Sequence, residues 1–228
     1  MTRISRINKE IRQAPGFLEG RVFGTGDLKP PIGGAPVFRR WALLVAFRSD
    51  EEMKEFQQSR TVDEFTDRAR EVWRASLVPT RVGRGTWRGW RPEVDPVPHD
   101  DTEPVLSLTY SHIRTPYVPA FLWNNKRVVD QQRTTADGLI AQLGIADDLT
   151  ATSTLSVWRS QADLVDFAYR RSPAHKAVIK PSLTKWQTQN FSARFRMTES
   201  SGTWDGRDPA VAARLAAEEL ARLRTTHP

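Results

Sequence analysis

Four histidines and no cysteine set the chemistry open to this 228-residue chain. Without thiols there is no disulfide, no thiolate nucleophile and no cysteine-ligated iron–sulfur cluster or haem. A bound metal must be held by His, carboxylate, Tyr or Met. His227 lies in the C-terminal tail. His99 sits in the acidic, proline-rich stretch VPHDD and reads as solvated. His112 ends an expected strand in TYSHIR, where Ser111, His112 and Arg114 are candidate proton-handling residues. His175, in SPAHKAVIK, falls on an expected helix, and its counterpart in the first half of the chain is Val62. An imidazole gained by one half alone is what an acquired ligand would look like. A neutral His on a helix suits the iron of haem b, with Lys176, Lys180 and Arg194 placed to meet the propionates. Trp41, Trp73, Trp158 and Trp186 read first as core, and Trp158 is also carried as a cofactor neighbour. Tyr110, Tyr117, Phe121 and Trp123 cluster after the seam and read first as core, with a pocket for a long apolar substrate as the alternative. No Walker loop, HExxH, GxSxG or dinucleotide fingerprint occurs.

The elements that must position these residues come in two similar sets. Leu44 to Phe56 (LVAFRSDEEMKEF) resembles Leu155 to Phe167 (LSVWRSQADLVDF), and Gly85 to Pro92 (GTWRGWRP) resembles Gly202 to Pro209 (GTWDGRDP). The same order in both halves indicates a duplicated α+β unit. Isoleucines at positions 4, 7 and 11 predict a first helix. Strands are expected at Phe17–Phe23, Phe38–Phe47, Leu77–Trp90 (broken at Gly83 and Gly85), Val105–Ile113, Gly138–Ile145, Thr152–Trp158 and Phe191–Met197, with a loop at Gly24–Pro36. Ser49 with Glu52, and Ser160 with Asp163, predict capped helices. Further helices are expected over Val62–Ala75 and around Pro173–Ile179, with a short helix or loop at Pro116–Trp123. Asp208-Pro209 should open a last helix to Leu223.

The second half thus reads β-α-β-β-α-β, a ferredoxin-like unit. The expected architecture is α+β, two fused ferredoxin-like repeats forming a dimeric α+β barrel around a large apolar cavity. The first repeat spans residues 1–92, a proline-rich acidic seam 93–104, the second repeat 105–207, and a C-terminal helix and tail 208–228.

Net charge is +7, which favours acidic partners, yet no block of five basic residues and no nucleic-acid motif is present, so no nucleic-acid partner is expected. The longest strongly apolar run, Trp41 to Phe47, is too short to span a bilayer, and no signal-peptide core follows Met1, so a cytoplasmic protein is expected. Homodimerisation is left open.

These residues resemble the spheroidene monooxygenase family. The resemblance is carried by SVWRSQADLVDFAYRRSPAHKAVIK, FSARFRM and GTWDG in the second half. In the first half it is carried by PGF, GTG and WALLVAF, and in the middle by SHIR and FLW. It spans Pro15 to Pro209. It implies a haem-containing oxygenase that adds oxygen to acyclic carotenoids, with O2 and electrons from a ferredoxin-type donor. It also implies that His175 binds iron. The middle segment PYVPAFLWNNKRV matches loosely, so the substrate is an apolar, carotenoid-like or other small organic molecule. Two alternatives remain at this point: a haem-dependent aldoxime-type dehydratase and a non-catalytic binder of haem or an apolar ligand.

Overall fold

Strand pairing over long sequence separations, more than helix propensity, decides the architecture. A computed structural model describes residues 2–27, 35–124, 136–171 and 185–226. Its strands are β1 (Phe17–Asp27), β2 (Ala35–Phe47), β3 (Trp73–Val82), β4 (Val105–Ile113), β5 (Leu139–Ala146), β6 (Ala151–Trp158) and β7 (Gln187–Gly202). The helices are α1 (Arg3–Ile11), α2 (Asp50–Gln57), α3 (Arg60–Thr66), α4 (Gln161–Asp166) and α5 (Pro209–Thr226). A 3-10 turn follows β4 at Thr115–Tyr117, and a π-helical turn extends α4 through Phe167–Arg171.

The class is α+β, as expected. All seven strands form one antiparallel sheet in the order β2-β1-β5-β6-β4-β7-β3. The second half supplies four neighbouring strands and the first half three. Residues of both end strands, Ala42 and Leu44 on β2 and Leu77 and Val82 on β3, pack on the same cluster as Leu106, Leu108 and Phe195, so the sheet curls around one core. That interior is filled by Phe23, Trp87, Tyr110, Phe191 and their neighbours. The large apolar cavity expected inside the curl is therefore a packed core.

The outer face of β1 and β2 carries α1, α2 and α3. Ile7 and Ile11 of α1 pack with Val22, Phe56 and Val62, and the buried Asn8 side chain accepts the Val22 amide at 2.8 Å. The α2 start has the predicted capping box: Ser49 Oγ accepts the Glu52 amide and Glu52 accepts the Ser49 amide. Such a cap contributes about 1 kcal/mol. The parallel cap at Ser160 orders α4, with Asp163 also held by Arg159.

Three expected elements differ. The helix predicted over Val62–Ala75 stops at Thr66, and Trp73 begins β3. Its backbone pairs with Gly202 and its indole donates to Ser200 Oγ at 2.8 Å. The apolar spacing that suggested a longer helix is overridden by this long-range pairing. β3 ends at Val82, at the break expected at Gly83, and strand does not resume to Trp90, because the GTWRGW segment turns back on itself with a Trp87–Trp90 bridge. The expected loop at Gly24–Pro36 is shortened by β1, which continues to Asp27, and by β2, which starts at Ala35. The helix expected around Pro173–Ile179 lies outside the described residues.

The repeated GTWxG motif folds the same way twice. Arg88 and Asp205 both adopt left-handed backbone, with φ of 56° and 54°. Trp204 bridges Arg207 as Trp87 bridges Trp90. Gly85 and Gly202, with φ of 80° and 77°, pass so close to a carbonyl that a Cβ would lie 2.0 Å from Asn190 O or Val72 O. Gly206 has φ of 80° but open space where its Cβ would stand. Gly206→Ala should therefore cost about 1 kcal/mol of left-handed strain. Gly202→Ala adds a backbone clash and should cost several-fold more, read as urea midpoints at unchanged slope.

Candidate functional site

β4 divides the molecule into two chemical faces. It is hydrogen-bonded to β6 on one side and β7 on the other, and successive side chains point to opposite faces. Leu106, Leu108, Tyr110 and His112 face the inside of the curl, whereas Val105, Ser107, Thr109, Ser111 and Ile113 face the helix side. The three proton-handling candidates are separated by this alternation. Ser111 is buried on the helix side, where its Oγ accepts from Gln187 Nε2 at 2.9 Å. His112 opens on the other side. Arg114 is exposed just past the strand, its amide bonded to Trp186 O at 2.8 Å.

The helix side has a floor of small hydroxyl side chains. Ser107 pairs with Ser156 and Arg194, Thr109 with Thr154 and Ser192, and Ser111 with Thr152 and Asn190. Ser107, Ser111 and Ser156 are buried. One end is walled by Trp158, stacked on Phe167 at 5.5 Å and donating its indole N–H to Ser156 Oγ at 2.9 Å. Arg194 lies directly across from Arg81 on β3. Burial, reinforced by Arg81, pulls the Arg194 pKa below its ordinary value. Its Nη1 is buried with no hydrogen-bond partner. Like charges directly opposed and an orphaned guanidinium N–H are both unfavourable until an anion meets them. His175, Lys176 and Lys180 lie outside the described residues. Among the described residues no three His, Asp or Glu side chains come together to hold a metal ion.

The inner side holds a polar cavity of about 390 Å³, lined by Arg21, Arg88, Tyr110, His112, Asp147, Asp148, Ala151 and Gln189. Arg88 is delivered by the left-handed residue of the first GTWxG turn. It binds Glu19 at 2.8 Å and contacts Asp147. Asp147 also lies 3.2 Å from Arg21. Burial and then Arg88 lower the Arg21 pKa, and burial raises that of Tyr110. His112 Nδ1 is 2.6 Å from Thr188 Oγ1. The Asp148 carboxylate accepts from the Thr150 hydroxyl and amide and the Ala151 amide at 2.6 to 2.9 Å, which shapes the rim.

Among the described residues, His112 of the proton-handling candidates and Tyr110 of the aromatic cluster reach this cavity. Arg21, Arg88, Asp147 and Gln189 were missed. The available signal was the difference between the two GTWxG copies, Arg88 in one and Asp205 in the other. Of the aromatic cluster after the seam, Tyr110 is in the core as first read, whereas Trp123 is 70% exposed and neither packs in the core nor encloses a pocket. His99 is also not solvated, its side chain being 3% exposed and 3.1 Å from Glu103.

With this geometry in hand, the comparisons bear out the resemblance. The chain is similar to the spheroidene monooxygenase of Rhodobacter capsulatus, 29% identical over 206 residues, covering 86% of this chain and 80% of that protein. It is similar to the spheroidene monooxygenase of Cereibacter sphaeroides, 24% identical over 189 residues, covering 82% of this chain and 57% of that protein. A solved structure from Fusobacterium nucleatum, provisionally assigned as a monooxygenase, aligns at a TM-score of 0.42 with 10% identity, covering 90% of this chain and 87% of the other. No family model matches.

The rim gives a pH prediction. Hydrogen bonds from Thr150 and then Ala151 depress the Asp148 pKa. The carboxylate therefore contributes stability above the unfolded value of about 3.9, lost as pH falls through the depressed folded value. The stability difference between wild type and Asp148→Ala should be largest near neutrality and shrink steadily below about pH 4 in denaturant titrations.

Proposed function

We propose that this chain is a monooxygenase of small, apolar organic substrates, using O2 and haem b. The observation that carries the reading is its similarity to a spheroidene monooxygenase along 86% of its length. The helix-side face supports it physically. A sheet floor of short hydroxyl side chains leaves room for a flat ligand, and the orphaned Arg194 Nη1 needs an acceptor such as a propionate carboxylate. On this reading His175 holds the iron, Lys176 and Lys180 join Arg194 at the carboxylates, and Trp158 with Phe167 excludes water from one end.

Bound haem supplies the O2-binding and oxidising chemistry. The chain's residues supply orientation and charge. Ser111 shares a face with Arg194 and is the expected proton-handling group carried forward here. Arg114 stands at the strand's end. A ferredoxin-type donor suits the net charge of +7, since such donors are acidic and would be steered to a basic partner. The fused pair of ferredoxin-like repeats belongs to the same reading: β4 to β7, with their helices, follow β-α-β-β-α-β, and β1 to β3 repeat part of it.

Absorption spectra of protein expressed with haem precursor, oxidised, reduced and with carbon monoxide, should show one haem per chain with a histidine-type carbon monoxide complex. His175→Ala should lose it. Arg194→Leu separates binding from folding. It removes an orphaned buried cation, so the haem-free protein should be at least as stable as wild type, while haem affinity falls by about tenfold or more. Oxygen from labelled O2 should appear in the product. Turnover without O2 would instead indicate dehydratase chemistry, and a colourless protein would remove the haem reading.

A further inference from the structure

The helix-side faces of β2 and β6 are built alike at one end and differ at the centre. Phe47 and Phe56 stand 111 residues before Trp158 and Phe167. Each pair forms a tilted ring contact, with centroids 5.0 and 5.5 Å apart. The helix after each strand opens on a serine cap, Ser49 or Ser160. At the same spacing, Leu43 and Val45 correspond to Thr154 and Ser156. Leu43 pairs with Val22 on β1, and Thr154 pairs with Gly144 on β5. Val22, Leu43 and Val45 fill their face by packing with Ile7 and Ile11 of α1. The other face has threonine where leucine stands, and glycine and serine where the valines stand. A packed face has thus been matched by one with much less side-chain volume.

The small residues line up. Gly144 pairs with Thr154, Thr154 with Thr109 on β4, and Thr109 with Ser192 on β7. These four make one row across the strands, about 14 Å long at roughly 4.8 Å per strand step. A glycine continues it at both ends. Gly26 pairs with Gly144, and the Gly83 amide donates to Ser192 O at 2.8 Å. Thr109 and Ser192 are exposed, although β4 and β7 are interior strands of the sheet. The rows on the two sides are covered. Ser156 is buried with the indole of Trp158 on it, and Ser111 is buried under Gln187. Gly144 is an independent sign. Neither a positive φ nor a bulge in the β5–β6 register accounts for it. Glycine inside a strand weakens the strand, and it recurs where a ligand or backbone passes close.

We infer that this row is the seat of the flat ligand on the helix side, and that Thr109 and Thr154 set its depth. The inference rests on the reading of that face as the haem site and adds which residues hold the space open. Haem and iron-free protoporphyrin, titrated separately into the haem-free full chain and followed by Soret absorbance, test it. Protoporphyrin needs no iron ligand, so it reads the seat alone. Thr109→Leu and Thr154→Leu introduce the side chain that β2 carries at position 43. Each should weaken both porphyrins by about tenfold or more, while Thr109→Ser and Thr154→Ser stay within about twofold of wild type. Thr109 is exposed, so its leucine variant should keep the wild-type urea midpoint. Leucine variants that bind protoporphyrin as wild type does overturn the inference and leave the haem reading standing. Loss of binding in the serine variants also overturns it, since they add no bulk. Protoporphyrin binding that the leucine variants abolish, with no histidine-ligated haem spectrum, would keep the seat and remove the ligation reading. A wild-type chain that binds neither porphyrin overturns both.

Discussion

The continuous pairing of β4 with β6 and β7 is the constraint on which the rest of the molecule depends. Eight residues of β4 pair with β6 and eight with β7, so both edges of the strand are satisfied and neither can slip without exposing apolar side chains. Val105, Leu106, Leu108 and Ile113 are almost fully buried, on both faces. A one-residue shift would turn Leu106 and Leu108 to the helix side and place Ser107 and Ser111 in the core. Ser111 would then lose its hydrogen bond from Gln187 Nε2, at about 1–3 kcal/mol. Register is thus held by packing on both faces, and register decides which residues belong to which chemistry.

The two faces follow different electrostatic logic. On the inner side every guanidinium of the cluster meets a carboxylate, and the ion pairs tie β1, the first GTWxG turn and the β5–β6 turn together. These pairs are half-buried, so desolvation offsets much of their attraction, and their main effect is to fix geometry. On the helix side Arg194 has no such partner at Nη1 and faces Arg81 instead. The guanidinium is only partly buried, and Asp101 and Tyr169 offset some of its charge, so the two faces differ in how completely their cations are paired.

Much of the fold was legible because local and long-range signals agreed. β4 was read to the residue, since apolar positions there run at period two between a proline-rich seam and a 3-10 turn. Both serine caps were visible from Ser-x-x-acid spacing, and Phe191, Ala193, Phe195 and Met197 line one face of β7 as their alternation indicated. The helix expected to Ala75 failed for a specific reason: Phe65, Ala69, Val72 and Trp73 fit a helical stripe, but Trp73 is claimed by Gly202 and Ser200, partners more than a hundred residues away. The candidate site was less legible. Ser111 and His112 are neighbours in sequence and opposites in space, and Arg21, Arg88 and Asp147 meet only because a strand and two turns converge. No spacing rule encodes that convergence.

The recurrence of the GTWxG turn shows how the residue at its tip can change while the backbone is kept. Both GTWxG turns need a glycine where the chain passes a carbonyl, and both tolerate a left-handed side chain one residue after the tryptophan. The backbone solution is therefore independent of which side chain stands there. Arg88 and Asp205 show the consequence: the same turn presents a cation to a buried cluster in one half and an anion to a surface arginine in the other. Chemistry at the tip can diverge without altering the turn, the strand that precedes it or the register of β4. The two faces then need share nothing beyond the strand between them.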